Sequence, residues 1–366
     1  MDPWTLPHFE QPHQACPLGE GWWRGPDPQS ETCINLLREL GLWVNGPLPD
    51  GSWSYFPSPG LSPDPATATG ELNDPTARAH WIALRVAAGR DACSAPLPQP
   101  QLMVVLNLTE DSFSDGGKHL NSTELLATAQ SACEGKATWL DFGAESTRPG
   151  AEPISPTAQI ERLLPAIDLL RGFDLKISVD TRSAAVAEAV LLAGAHMIND
   201  VSSLEDPAMG GVVAHHSCDL VLMHMKGTPA NMRQHCDYAF LLGDVLDGLA
   251  SRSSRAMLAG VAPEKIVLDP GIGFAKTAEQ SLELLGRFDS FRALGFPLLS
   301  GPSRKSFLTL PLGDVPSTER EGGTAGAAAI SAAKGAAILR LHQAGEPWDA
   351  TRSAWACASH AQGVAQ

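Results

Sequence analysis

The sequence predicts an α/β protein, a TIM (β/α)8 barrel with a separate Pro/Trp-rich N-terminal region, and three observations carry that reading. From residue 101 onward, eight short apolar runs each end in polar residues and give way to a segment of helical period, the alternation expected of parallel β-α units. No Gly-x-Gly-x-x-Gly follows the first run, which counts against the competing doubly wound sheet. Residues 1–100 hold sixteen of the 29 prolines and six of the nine tryptophans, so that part of the chain is built on different terms. With 366 residues and 43% hydrophobic content the chain can bury one large core and a smaller one, and the expected division is 1–100 and 101–366.

In the first region high proline favours irregular chain, whereas the tryptophans argue against plain disorder, which is poor in aromatics. Ser30 is placed to cap a helix carrying Ile34, Leu37 and Leu40, stopped by Gly41. Asp74-Pro75 puts a cap and a first-turn proline before Trp81 and Leu84, in a helix expected to end near Gly89. The remainder reads as turn-rich. The region has neither a phosphate-binding glycine loop nor a metal-ligand spacing. It is expected to be a small module packed on the main domain, with partner binding as the alternative.

The barrel opens with the run Leu102 to Leu106, unbroken as in a strand covered on both faces, and Asn107, Asp111 and Asp115 follow at once before Gly116-Gly117. The later runs end at Asp141, Asp180, Asp200, His224, Asp269, Ser300 and Arg340. Helices are expected near 122–134, 156–171, 183–193, 205–215, 240–259, 277–286 and 322–335, with a last one from about 347. In such a barrel the loops after the strands gather at one end, so residues scattered over the chain meet in one site.

Formal net charge is −15 with no run of Lys or Arg, which excludes nucleic acid and anionic membrane as expected partners. An anionic small molecule would be held by a few placed cations, and Arg148, Lys305, Arg340 and His342 are the candidates. No stretch of about 18 apolar residues and no secretion signal is found, so a cytoplasmic protein is expected. The seven cysteines are scattered with no Cys-x-x-Cys pair and are expected to be reduced thiols.

The run ends carry motifs: Leu106-Asn107-Leu108-Thr109 with Asp111-Ser112-Phe113-Ser114-Asp115-Gly116-Gly117; Glu145-Ser146-Thr147-Arg148-Pro149-Gly150; Ser178-Val179-Asp180; and Ile198-Asn199-Asp200. Then come Met223-His224-Met225, Asp269-Pro270-Gly271-Ile272-Gly273-Phe274, Ser303-Arg304-Lys305-Ser306, and Arg340 with His342. In this order, over about residues 101–345, they resemble dihydropteroate synthase. The resemblance implies condensation of hydroxymethyl-dihydropterin pyrophosphate with para-aminobenzoate to dihydropteroate and pyrophosphate, with magnesium, in a homodimer. It assigns the pterin to Asp180, Asn199, Asp269 and Lys305 with Phe274 as an apolar wall, and the aminobenzoate to Thr147, Pro149 and Ser306. Phe113 and the loop bearing Arg148 would close over the reactants. Arg340, His342 and a magnesium ion near Asn107, supported by Asp115, would take the charge developing on pyrophosphate, and Asp180 would stabilise the pterin cation.

The residues suit that chemistry, because a pterin edge offers donors and acceptors that carboxylates and an amide can match in an apolar pocket. Structural readings stand beside it. Asp180 with Thr181 is also a helix cap, Asp269-Pro270 a turn, Arg340 and His342 a solvated strand end, and Phe113 ordinary loop packing. Lys305 is either an ammonium that binds pterin or anion, or a Schiff-base nucleophile, and flanking Arg304 and Ser306 favour binding. His224 is read as a structural residue. The chain departs from the family pattern at Glu110, Ala144, Ala275, Lys226 and Gln343, none of which carries an assigned role. Alternatives to the synthase are a pterin-dependent methyltransferase and a non-catalytic pterin-binding or partner-binding protein.

Overall fold

The computed structural model describes residues 16–19, 22–25, 28–46, 53–57, 74–107, 113–114, 119–120, 122–145 and 154–362. They fall in two compact units. One gathers the elements before Ala95 with Tyr238–Ser251 and Asp289–Gly295, and the other takes the chain from Pro96 apart from those two stretches.

In the first unit the strands β1 (Cys16–Gly19), β2 (Trp22–Gly25), β3 (Leu42–Asn45) and β4 (Trp53–Pro57) form an antiparallel sheet in the order β1-β2-β4-β3. This corrects the turn-rich expectation. Three of the four short strands carry Trp and β4 adds Tyr55 and Phe56, residues that fit a pleated surface. Helix α1 (Glu31–Glu39) starts as expected, with Ser30 Oγ accepting from Cys33 N at 3.1 Å, and Gly41 follows it at φ 93°. Helix α2 (Pro75–Ser94) runs past Gly89, where an end was expected. Gly89 is buried inside the helix, so tertiary packing overrides its low propensity. The core joins Cys33, Leu37, Leu42 and Tyr55 to Ala79, Ile82, Ala83 and Val86. Arg292 donates to the carbonyls of Cys93 (2.9 Å) and Ala95 just past α2, taking up acceptors that a helix end leaves open.

In the second unit the chain continues as β5 (Gln101–Asn107), a short hairpin β6 (Phe113–Ser114) and β7 (His119–Leu120), α3 (Ser122–Glu134), β8 (Trp139–Gly143) and α4 (Pro156–Leu170). Next come β9 (Lys176–Asp180), α5 (Ala184–Leu192), β10 (Met197–Asp200), α6 (Met209–His216), β11 (Asp219–Met223) and α7 (Leu241–Leu258), whose residues up to Ser251 belong to the first unit. The last elements are β12 (Ile266–Asp269), α8 (Ala278–Gly286), β13 (Leu299–Ser300), α9 (Thr309–Leu312), α10 (Glu321–Ala333), β14 (Ile338–Leu341) and α11 (Glu346–Ala361). Helix α6 begins four residues later than expected. Asp206 accepts from the N–H of Ala184 at 2.8 Å and of Ala208 at 3.0 Å, and Ser203 and Leu204 take positive φ, so 201–208 is a shaped loop.

Eight parallel strands run in the order β12-β11-β10-β9-β8-β5-β14-β13. A parallel bridge from Leu268 to Leu298, with Leu268 N donating to Pro297 O at 2.9 Å, joins the two ends of that order, and the TIM barrel is nearly closed. Its interior holds an apolar layer of Met103, Trp139, Met197, Val221, Val267, Leu299 and Ile338. Side chains alternate faces along a strand, so the next inward positions toward the carboxyl ends include Asp141, Asn199, Asp269 and Arg340, with Ser178 in register with Asp141 on the neighbouring strand. The apolar layer closes one end and polar chemistry begins directly above it.

Candidate active site at the carboxyl ends of the barrel strands

Asp141 is the centre of the polar layer, and it is 0% exposed. Its Oδ1 accepts from Ser178 Oγ at 2.6 Å, and its Oδ2 accepts from Asn199 Nδ2 at 3.3 Å and from Arg340 Nε at 2.7 Å. Four strands, β8, β9, β10 and β14, therefore meet on one carboxylate. Arg340 Nη2 also lies 3.7 Å from Asp180 Oδ2, an ion-pair distance rather than a hydrogen bond. Burial would lower the Arg340 guanidinium pKa, and the charges of Asp141 and Asp180 more than reverse this. Asp180 is pushed up to about 7, by burial first and then by the Asp141 charge, with Arg340 opposing. The helix-cap reading of Asp180 fails: Ser183 is the residue before α5, and Thr181 Oγ1 accepts from Ser183 N at 3.3 Å.

A second group faces the first. Lys305 donates to the carbonyl of Ile272 and sits 4.5 Å from the centroid of the Phe274 ring. Asp269 accepts from Gly271 N at 2.7 Å, so the turn reading of Asp269 holds as local geometry while its carboxylate remains in the site. Burial raises Asp269, opposed first by Lys305, and burial lowers Lys305 to about 8, opposed by Asp269. Gly301 lies between the groups, where an added Cβ would stand 3.7 Å from Arg340 Cβ and 3.9 Å from Lys305 Nζ. The short β13 ending at a glycine thus lets the two cations share one mouth.

At the rim, His342 Nδ1 is 2.8 Å from Ser303 Oγ. The turn that carries Ser303 and Lys305 passes through Arg304 at φ 57°, a left-handed conformation that a non-glycine residue adopts only when held. Arg304 N donates to Thr324 Oγ1 at 3.0 Å, its side chain pairs with Glu321, and its carbonyl accepts from Arg320 at 3.1 Å. Ser306 is exposed beside Lys305. Glu145, at the start of the second loop, is bonded to Arg182 at 2.7 Å. Asn107 ends β5 in register with Gly143, and Phe113 lies in β6. Their side chains, with Asp115, Thr147, Arg148 and Pro149, fall outside the described residues, as does Glu110.

Residues 103–342 match the model of the pterin binding enzyme family. The dihydropteroate synthase of Synechocystis is 43% identical over 243 residues, spanning 66% of this chain and 84% of that protein. This chain belongs to the dihydropteroate synthase family of pterin-binding enzymes. A Yersinia pestis dihydropteroate synthase solved with a sulfonamide drug superposes with a TM-score of 0.66 at 38% identity, covering 73% of this chain and 95% of that one. A Clostridium difficile dihydropteroate synthase solved in the presence of pteroic acid gives 0.66 at 34% identity, covering 72% and 98%.

Two features of this dihydropteroate synthase family member were not assigned from sequence. Asp141 ends a run of apolar residues and received no role, although its inward alternation with Trp139 was a usable signal. Lys276, only 8% exposed, is bonded to His224, and nothing in sequence pattern distinguishes it from a surface lysine. His224 itself is buried and takes no place at the mouth, as read from sequence. Among the departures from family pattern, Ala275 stands at φ 48° in a conformation glycine would adopt freely, and Lys226 donates to the carbonyl of Asp237 at 2.6 Å.

Proposed function

We propose that this chain condenses hydroxymethyl-dihydropterin pyrophosphate with para-aminobenzoate. The aromatic amine nitrogen forms a bond to the pterin methylene carbon, the carbon–oxygen bond to pyrophosphate breaks, and pyrophosphate leaves with the electron pair while the amine gives up a proton. The observation that carries the reading is the arrangement of Arg340 between Asp141 and Asp180, facing Asp269 and Lys305 in a buried mouth. Charge separates in this reaction, and fixed charges in a site with little water stabilise it most.

Asp180, Asn199, Asp269 and Lys305 match the donors and acceptors of the pterin edge, with Phe274 as its wall. The Asp180 carboxylate stabilises positive charge on the pterin methylene. Arg340 has donors beyond the one given to Asp141, and with His342 it receives the phosphate oxygens. Thr147, Arg148, Pro149, Ser306 and Phe113 form the aminobenzoate side and cover the reactants, as the family resemblance implies. Bound magnesium would neutralise charge on pyrophosphate. Asn107 would hold it, with Asp115: the amide and carboxylate oxygens are the hard donors magnesium takes, and β5 pairs directly with β14, the strand of Arg340. The catalytic residues all come from the part of the chain after residue 100, and the enzyme works as a homodimer in the cytoplasm.

The test is mass-spectrometric detection of dihydropteroate after mixing the full chain with the pterin pyrophosphate, para-aminobenzoate and magnesium. Product that Arg340→Ala fails to make supports the reading. Pterin binding without product would favour a non-catalytic pterin-binding protein.

A further inference from the structure

Behind the Asp269 carboxylate lies a buried pair that the reaction itself does not use. Lys276 Nζ is 3.2 Å from His224 Nδ1, 3.3 Å from the His224 carbonyl and 3.0 Å from the Phe274 carbonyl. An ammonium has three protons, and here three acceptors surround it. Burial first, and then the Lys276 charge, push the His224 pKa well below its ordinary value, so the ring is neutral and its Nδ1 is the acceptor. Lys276 is likewise lowered to about 7 by burial, with Asp269 opposing and Lys305 and Arg252 adding to the fall, so the three-proton form prevails below about pH 7 and the three contacts are those of that form.

The same histidine holds the loop a second way. His224 N donates to the Asp269 carbonyl at 2.8 Å, and Gly271, at φ 69°, passes so close that a Cβ there would lie 2.0 Å from the His224 carbonyl. The loop 269–276 carries Asp269 and Phe274, and its Ile272 carbonyl accepts from Lys305. We propose that Lys276 is a positioning residue, whose ammonium ties the loop 269–276 to His224 and so fixes where Asp269, Phe274 and Lys305 meet the pterin. This rests on the pterin reading of those three residues. The expected loss on removing the ammonium is about tenfold in pterin affinity, the effect of one charge-assisted hydrogen bond.

The experiment compares full-length wild type with Lys276→Met, His224→Leu and His224→Asn, the last keeping an acceptor oxygen near the place of Nδ1. Each is melted, titrated calorimetrically with the pterin pyrophosphate, and assayed with both substrates. Lys276→Met and His224→Leu are expected to raise the pterin Kd and KM about tenfold with the aminobenzoate KM within about twofold, and His224→Asn to stay within about threefold of wild type. A general loss of folded enzyme would lower kcat alone and leave both KM values unchanged, and that result overturns the proposal. So does a folded Lys276→Met with wild-type pterin affinity. If Lys276→Met fails to fold, the contrast between the two His224 variants decides. Absence of dihydropteroate from the wild type refutes the synthase reading instead, and the calorimetric comparison still judges Lys276; wild type that binds no pterin overturns both.

Discussion

Arg340 Nε and Asp141 Oδ2 meet at 2.7 Å inside the barrel, with Asp141 fully shielded and the Arg340 side chain 25% exposed. The asymmetry gives the pair its use. Asp141 anchors the guanidinium from below, and the exposed side of Arg340 faces the mouth. Removing one partner of a buried pair leaves the other charge uncompensated, at about 3–5 kcal/mol for a full burial and less for Arg340, which keeps Asp180 and some solvent. Asp141→Asn is therefore expected to lower stability by about 2 kcal/mol in urea unfolding and to reduce kcat/KM for the pterin substrate. Unchanged kinetics would mean that Asp141 holds the barrel together without positioning Arg340.

The pH profile supplies a second expectation. Asp180 is raised to about 7, and in the proposed reaction it would accept from pterin N–H groups and stabilise the cation only when ionised. kcat/KM, which reports the free enzyme, is expected to fall as pH drops below about 7. Because the Asp141 charge is part of what raises Asp180, Asp141→Asn is expected to move this acid limb to lower pH. Asp180→Asn is expected to abolish it. A limb that stays in place in both variants belongs to another group.

The barrel was legible because each of its strands is a short apolar run closed by a polar residue, a pattern that depends only on burial at both faces. The expected helices at 122–134 and 277–286 correspond to α3 and α8 within a residue, since caps such as Thr277, which accepts from Gln280 N at 3.2 Å, are local. What sequence did not reveal was set at long range. The sheet β1-β2-β4-β3 pairs segments separated by proline-rich chain, and Asp141 is tied to Arg340 across 199 positions. The resemblance singled out Asp180, Asn199, Asp269, Lys305 and Arg340, which the strands bring to one end, whereas Ser178 and Ser303 stand in the motifs without an assigned role and Lys276 lies just past one.

Gly143 gives a steric prediction. An added Cβ would lie 2.8 Å from the Asp180 carbonyl and 3.1 Å from Asp180 Cβ, so β8 can approach β9 here only without a side chain. Gly143→Ala is expected to displace Asp180, to cost about 1–3 kcal/mol in thermal or urea unfolding, and to raise the pterin KM. Wild-type pterin affinity in this variant would show that the position of Asp180 is not critical.

Lys305 separates function from stability. Its pKa is lowered to about 8 from 10.5, chiefly by burial, so the folded state disfavours its proton. That cost to folding is fully present below about pH 8 and is relieved as pH rises toward 10.5. Lys305→Met is expected to melt no lower than wild type at pH 7 while binding the pterin at least about tenfold more weakly. A large fall in Tm with pterin affinity intact would assign the lysine to the fold rather than to the ligand.

Ser303 tests the division of labour at the mouth. Its Oγ is 2.8 Å from His342 Nδ1 and accepts from the His342 backbone N–H at 3.3 Å, and it sits in the turn held by the strained Arg304. If His342 receives pyrophosphate, the hydroxyl orients that ring without touching the pterin. Ser303→Ala should then raise the KM of the pterin pyrophosphate by about threefold to tenfold, the range for one hydrogen bond, and leave binding of the same pterin without phosphate unchanged. The two ligands are compared by calorimetry on one protein preparation, so a change in folded fraction would affect both alike. Equal weakening of both would place His342 at the pterin ring, and equal binding of both by wild type would remove the pyrophosphate role from Arg340 as well.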